Sequence, residues 1–324
     1  MYEELLKLDP LRINFSSSGM HVINIILCFV MFGVALNIKV SQFSHLIKKP
    51  KLALIGLFSQ LVALPAITFV LVIIFNQLIT PSVAMGMILV AACPGGNISN
   101  FMSSYAKANT ELAVGLTAAS TLISTFTTPF NFSFWGGLYN QFISNHAGHM
   151  LQPLVIDNRQ MFETVFLLLG IPLIIGVIFA HKLPVITGKI KKPIQNLSLL
   201  FFIAMIVVAF ANNIHYFIHY ILYIFIIVLV HNGMALTTGY SVASAFRLSD
   251  INRRTLTIET GIHNSGLGLL LLFNPKIFPP QLQIGGMIFV VAWWGIWHIV
   301  SGLSIAGYWH RHVLKNSSII SKSE

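Results

Sequence analysis

Two polar interruptions decide how this chain is read: Ala91-Ala92-Cys93-Pro94-Gly95-Gly96-Asn97-Ile98-Ser99-Asn100 and Glu259-Thr260-Gly261-Ile262-His263-Asn264-Ser265-Gly266-Leu267-Gly268, each inside an otherwise apolar stretch. In the first, proline removes a backbone donor and clashes with the preceding turn, and two glycines weaken the helix further. A helix arriving from residue 81 is therefore expected to break after Cys93. Within a bilayer, unpaired backbone is tolerated only where protein or water covers it. Freed carbonyls can then coordinate a cation, and a half-helix beginning near Ser99 can turn its N-terminus toward an anion. A packing kink would explain this stretch taken alone.

The second interruption carries Glu259. The other eight acidic residues, Glu3, Glu4, Asp9, Glu111, Asp157, Glu163, Asp250 and Glu324, lie at the termini, in loops or near segment ends. An ionisable group inside a crossing is costly and is a functional-site hypothesis by default. The plain alternative is that Glu259 snorkels toward the interface near Arg254, about 7.5 Å of helix rise away. The polar, glycine-rich residues that follow Glu259 argue against it.

Working outward, the 324 residues are 56% hydrophobic and only 9% charged, with mean hydropathy +0.80, against roughly 25% charge in a soluble domain. Lipid is the expected solvent. Met1 to Arg12 has acidic residues and no basic n-region, so it does not read as a signal peptide. Cys28 and Cys93 both fall in apolar stretches, where a structural disulfide is not expected.

Apolar periodicity places nine membrane segments: 19–40, 52–76, 81–106, 109–135, 159–181, 192–211, 214–246, 253–273 and 281–310. With the N-terminus outside and the C-terminus cytoplasmic, fifteen of nineteen Lys and Arg fall on the inner side; only Lys7, Arg12, Arg159 and Lys276 remain outside. That asymmetry is the positive-inside rule, and it accounts for the net charge of +10 without a nucleic-acid partner. An external loop is expected over 136–158. His146 with His149, and His215 with His219, have metal-like spacing but no third ligand nearby, so no metal is expected there.

The third and eighth segments are five crossings apart, run in opposite directions, and are both interrupted near the middle. That is the mark of inverted repeats with discontinuous helices around a central site. The expected fold is an all-α polytopic membrane protein with two discontinuous crossing helices, built from a five-helix unit whose first copy lacks its initial helix.

The chain resembles the bile acid:sodium symporters over nearly its full length. The resemblance rests on Met31-Phe32-Gly33-Val34-Ala35-Leu36, Gln60-Leu61-Val62-Ala63-Leu64-Pro65, Cys93 to Asn100, and Glu259 to Asn264. It implies a core domain (52–135 and 213–313, segments two to four and seven to nine) moving against a panel domain (19–45 and 159–211, segments one, five and six). It further implies one sodium site from Ser99, Asn100, Thr117 and Glu259, and a second from Gln60, Glu259, the carbonyls of Thr260 and Ile262, and His263. Two positions depart from the family pattern. Ala113 stands where the family often has serine, and His263 where it usually has glutamine, replacing an amide oxygen by an imidazole nitrogen. A hard cation prefers oxygen, so the second site is expected to be weakened or altered.

The function expected is symport of an organic anion, bile-salt-like or a small carboxylate, with sodium, by alternating access in the inner (plasma) membrane. Asn97, Asn264 and Ser265 at the half-helix ends would meet the substrate carboxylate. No cofactor is expected beyond the coupling ion. The alternative, motivated by His263 and Ala113, is proton-coupled or sodium-independent transport of the anion. A membrane-embedded enzyme would want a second intramembrane acid, a Ser/His pair or a metal cluster, and a sensor an output domain; beyond Glu259 and His263 neither is visible in the sequence.

Overall fold

The computed structural model describes residues 1–11, 17–146, 157–211 and 214–323. The helices in chain order are α1 (Tyr2–Leu6), α2 (Ser17–Ala35), α3 (Val40–Lys48), α4 (Pro50–Ile74), α5 (Pro81–Ala92), α6 (Ile98–Tyr105), α7 (Thr110–His146), α8 (158–182), α9 (Pro184–Ala211), α10 (Ile214–Ala245), α11 (Asp250–Gly261), α12 (Ser265–Leu272) and α13 (Gly285–Ser323). Among the described residues there is no β-strand, only an isolated antiparallel bridge between Gly95 and His263.

Among the described residues, four unbroken helices are long and apolar enough to cross a membrane: Pro50–Ile74, Arg159–Lys182, Ile218–Ala245 and Gly285–Val313. Their outward faces carry exposed Leu54, Val70, Ile74, Ile175, Leu222 and Val300. In water such a surface would be an aggregation hazard; in lipid it is the solvated face. The architecture is that of a polytopic helical membrane protein.

Two packing groups stand out. Helix α2 lies against α8 and α9, whereas α5 packs along α13 and α10 along α11. Close approach in the second group needs glycine: a methyl on Gly239 would sit 2.5 Å from the Leu256 carbonyl oxygen and 2.8 Å from Thr257 Cα, so α10 and α11 touch backbone to backbone.

Proline shapes α4 where it enters the site. Pro65 has no N–H for the carbonyl of Leu61, and the helix widens to a π turn over Ser59–Ala63. Asn131 of α7 satisfies that carbonyl, its Nδ2 donating to Leu61 O at 2.9 Å. The widened turn buries Ser59 and Gln60 completely.

The external loop expected from residue 136 requires correction. Helix α7 continues to His146, because Phe132, Tyr139 and Ile143 recur at helical spacing and bury into the core, outweighing the polarity of Asn140 and Asn145. The remainder of that loop, 147–156 with His149, lies outside the described residues. His219 faces Glu4 at 3.9 Å, and among the described residues no group of three metal-binding side chains forms.

Candidate functional site

Both expected interruptions are present. Helix α5 ends at Ala92 and α6 starts at Ile98; α11 ends at Gly261 and α12 starts at Ser265. The two extended stretches cross and pair with each other. Gly96 N donates to Ile262 O and Asn264 N donates to Pro94 O, both at 2.8 Å. Backbone groups left unpaired by the breaks are thus satisfied mutually, the only route open inside a bilayer apart from side chains and water. A side chain supplies the next bond: Asn232 Nδ2 of α10 donates to Gly261 O at 2.8 Å, while Ser301 Oγ of α13 donates to Asn232 Oδ1 at 2.5 Å.

The crossing is tight enough to demand glycine. A methyl on Gly96 would lie 3.1 Å from His263 O, and one on Gly95 would lie 3.2 Å from Glu259 Oε2. Glycine therefore lets the backbone of one break come against the carboxylate of the other helix.

Glu259 is fully buried. Ser99 Oγ donates to its Oε1. Thr117 Oγ1 donates to Oε2 at 2.9 Å, and Gln60 Nε2 approaches the same oxygen at 3.4 Å. Asn100 Oδ1 stands 3.3 Å from Thr117 Oγ1. Ser99, Asn100, Thr117, Glu259 and Gln60 thus converge from α6, α7, α11 and α4, and snorkelling is ruled out by the burial. Every side-chain partner of the carboxylate is neutral. A buried carboxylate left without a positive charge carries a desolvation cost of several kcal/mol, so this cluster of oxygen donors is chemically suited to a hard cation. Ala113, one turn before Thr117 and fully buried, contributes no oxygen.

The second expected group is less coherent. Gln60 Oε1 is buried without a hydrogen-bond partner, as are both ring nitrogens of His263, although the carbonyls of Val90, Cys93 and Thr260 surround that ring. The Ile262 carbonyl already accepts from Gly96. Thr260 turns its hydroxyl to Ser59 Oγ at 2.7 Å.

Beside the crossing lies a cavity of 740 Å³. One wall is the crossing itself, with Asn97, His263, Asn264 and Ser265; the other is α2 with the turn after it and α9, with Met31, Val34, Asn37, Lys191, Gln195 and Ser198. Asn97 is exposed to the cavity, Asn264 caps α12 by accepting from Leu267 N at 3.1 Å, and Ser265 is buried. Sequence reading missed Ser59, Asn232 and His298, which sit at or behind this wall. Their shared signal is polarity within an apolar segment.

Crossed, interrupted helices around a buried carboxylate, inside a lipid-facing helical bundle, define the broken-helix class of membrane proteins. Residues 24–220 match the Sodium Bile acid symporter family, more than half of the chain, and the chain belongs to that family. It is 28% identical over 296 residues to the uncharacterized sodium-dependent transporter YocS of Bacillus subtilis (strain 168), covering 91% of this chain and 85% of that protein. It is 28% identical over 268 residues to the mouse sodium/bile acid cotransporter 4, covering 81% of this chain and 57% of the relative. With the human ileal sodium/bile acid cotransporter the identity is 26% over 248 residues, 76% of this chain and 67% of the relative. The chain thus spans most of the bacterial relative but about half to two thirds of these mammalian ones.

Proposed function

We propose that this chain is a secondary transporter of the inner membrane that carries an organic anion together with sodium, N-terminus outside and C-terminus cytoplasmic. The observation that carries the reading is Glu259: a fully buried carboxylate among neutral oxygen and amide donors, beside two broken helices. Sodium is held by Ser99, Asn100, Thr117 and Glu259. A second ion would need Gln60, Glu259, the carbonyls of Thr260 and Ile262, and His263, which offers nitrogen where oxygen is wanted. Family membership and the names of the relatives support sodium as the ion.

In this reading sodium neutralises Glu259 and ties α6, α7 and α11 together, ordering the crossing. Asn97, Asn264 and Ser265 then present donors and the half-helix N-termini to the substrate carboxylate. Helices α2, α8 and α9 act as a panel, the remaining helices as a core, and closure of the cavity between them alternates access across nine crossings arranged as inverted repeats. The packing of α2 on α8 and α9 supports this division.

The test is thermal unfolding of purified chain in sodium chloride against choline chloride. Wild type is expected to gain stability with sodium and Glu259→Gln to show none of that gain; equal responses would remove the carboxylate from the sodium role. Uptake by proteoliposomes that ignores replacement of sodium by choline would favour the sodium-independent alternative.

A further inference from the structure

The charges around the 740 Å³ cavity are of one sign. Its lining includes Lys39 and Lys191 and no Asp or Glu. Lys39 projects from the turn after α2, which is pinned at both ends: Lys39 N donates to Gln42 Oε1 at 3.0 Å, and Gln42 Nε2 to Asn37 O at 3.4 Å. Lys191 rises from the first turns of α9, ahead of the apolar span, and is about half-buried. Among the described residues neither lysine has an ion-pair partner. Lys191 is held below the ordinary lysine value by its burial first and then by the charge of Lys39, so the two cations feel each other. Two like charges lining one cavity without an anion between them are unfavourable, and both belong to the α2/α9 side of the lining.

The opposite wall has its own anion-seeking features. The first residues of α6 and α12, Ile98 and Ser265, line the cavity, and His298 of α13 lines it while 6% exposed, with its Nδ1 lacking a hydrogen-bond partner. Each wall also offers apolar side chains, Met31 and Val34 on the α2 side and Leu267 on the α12 side.

From this arrangement, and resting on the organic-anion reading above, we infer that the substrate carries two anionic groups separated by an apolar spacer, one met at the crossed helix ends and the second by Lys39 and Lys191. Such a molecule touches both helix groups at once. Its binding then draws the α2/α9 wall toward the crossing, whereas a monoanion engages only one wall. The positive-inside rule gives these lysines a simpler occupation, contact with lipid phosphates at the inner surface, and the experiment separates the two.

The full-length chain, in nanodiscs with sodium chloride, is titrated with straight-chain monocarboxylates of four to eight carbons and with the matched α,ω-dicarboxylates, reading binding by thermal shift. At one or more spacer lengths the dicarboxylate is expected to bind at least ten-fold more tightly than its monocarboxylate partner. The Lys39→Gln/Lys191→Gln double variant should erase that difference and Lys39→Arg/Lys191→Arg should retain it, with sodium-dependent stabilisation as the check on folding. Equal affinity of the two series, or a preference that survives the double glutamine variant, overturns the inference. So does a double variant whose only change is a lost response to phosphatidylglycerol against phosphatidylcholine discs. If sodium stabilises the chain but no carboxylate of either series binds, the organic-anion reading falls as well.

Discussion

Asn264 and Pro94, 170 positions apart in the chain, are joined by a 2.8 Å hydrogen bond from the amide of the first to the carbonyl of the second. With its partner bond from Gly96 to Ile262, it makes each broken helix the backbone ligand of the other. The carboxylate of Glu259 sits directly against this crossing, which ties the geometry of the breaks to the geometry of the ion site.

Glycine substitutions test that tie. Gly96→Ala would press a methyl on the carbonyl group of His263, 3.1 Å from its oxygen and 3.2 Å from its carbon, and backbone on both sides cannot yield. A loss of about 1–3 kcal/mol is expected, as for other overpacked sites, together with loss of sodium-dependent stabilisation. Gly95→Ala would meet a side-chain oxygen of Glu259 at 3.2 Å. There the fold should persist in choline while the sodium concentration for half-maximal stabilisation rises roughly ten-fold, about 1.4 kcal/mol of binding. A wild-type sodium titration for Gly95→Ala would detach the crossing from the site.

Ala113 offers a gain. It lies one helical turn before Thr117, on the same face of α7, and is fully buried. Ala113→Ser adds one hydroxyl oxygen to the Ser99, Thr117 and Glu259 cluster. A hydrogen-bond-sized contribution of about 1 kcal/mol corresponds to roughly five-fold tighter sodium binding, readable in the same thermal titration. An unchanged or weaker sodium response would place residue 113 outside the ion's reach.

What the sequence disclosed and what it withheld follow from range. Pro94, Gly95 and Gly96 announce a break because their effects on backbone are local, and Glu259 stands out by its depth alone. The pairing of the two breaks, Gly95 against His263, is a long-range register that neither stretch contains. Ser59 against Thr260 and Asn232 against Gly261 were equally hidden, since a serine or asparagine in a helix can satisfy itself on its own backbone. The extension of α7 to His146 was obscured by Asn140 and Asn145, although Tyr139 and Ile143 kept the helical spacing. In the sequence Asp9 is only one of the acids at termini, in loops or near segment ends, yet it is 4% exposed and accepts from Thr80 Oγ1 at 3.0 Å.

His263 allows the number of ions to be tested. Its imidazole has two buried nitrogens without hydrogen-bond partners, and Gln60 Oε1 is likewise buried and unpartnered. His263→Gln would supply an amide oxygen at that place. The wild-type sodium titration is expected to follow a Hill coefficient of about 1, and the variant one approaching 2, as a second oxygen-lined site is completed. A wild-type coefficient near 2 would show that imidazole already suffices.

Asp9 provides the pH dependence. It lies ahead of the first membrane span, between the N-terminus of α5, through Thr80, and that of α13, where Gly285 N donates to its carbonyl oxygen at 3.1 Å. Burial lifts its carboxyl from 3.8 to about 7, opposed by hydrogen bonds from Thr80, Ser82 and Gly286. The folded chain therefore binds this proton more tightly than the unfolded chain. Its stabilising effect is complete below about pH 4, where both states are protonated, and is lost as pH rises to about 7, where the fold must hold a charged carboxylate. The shift corresponds to a few kcal/mol, on the order of 1.4 per pH unit. In choline, to keep the sodium site silent, wild type is expected to unfold at progressively lower temperature between pH 5 and pH 7. Asp9→Asn, which keeps an acceptor for Thr80 and cannot ionise, should show a flatter profile and a higher unfolding temperature at pH 8. Parallel profiles for the two proteins would mean that Asp9 reaches water and that its burial between the two helix ends does not govern its charge.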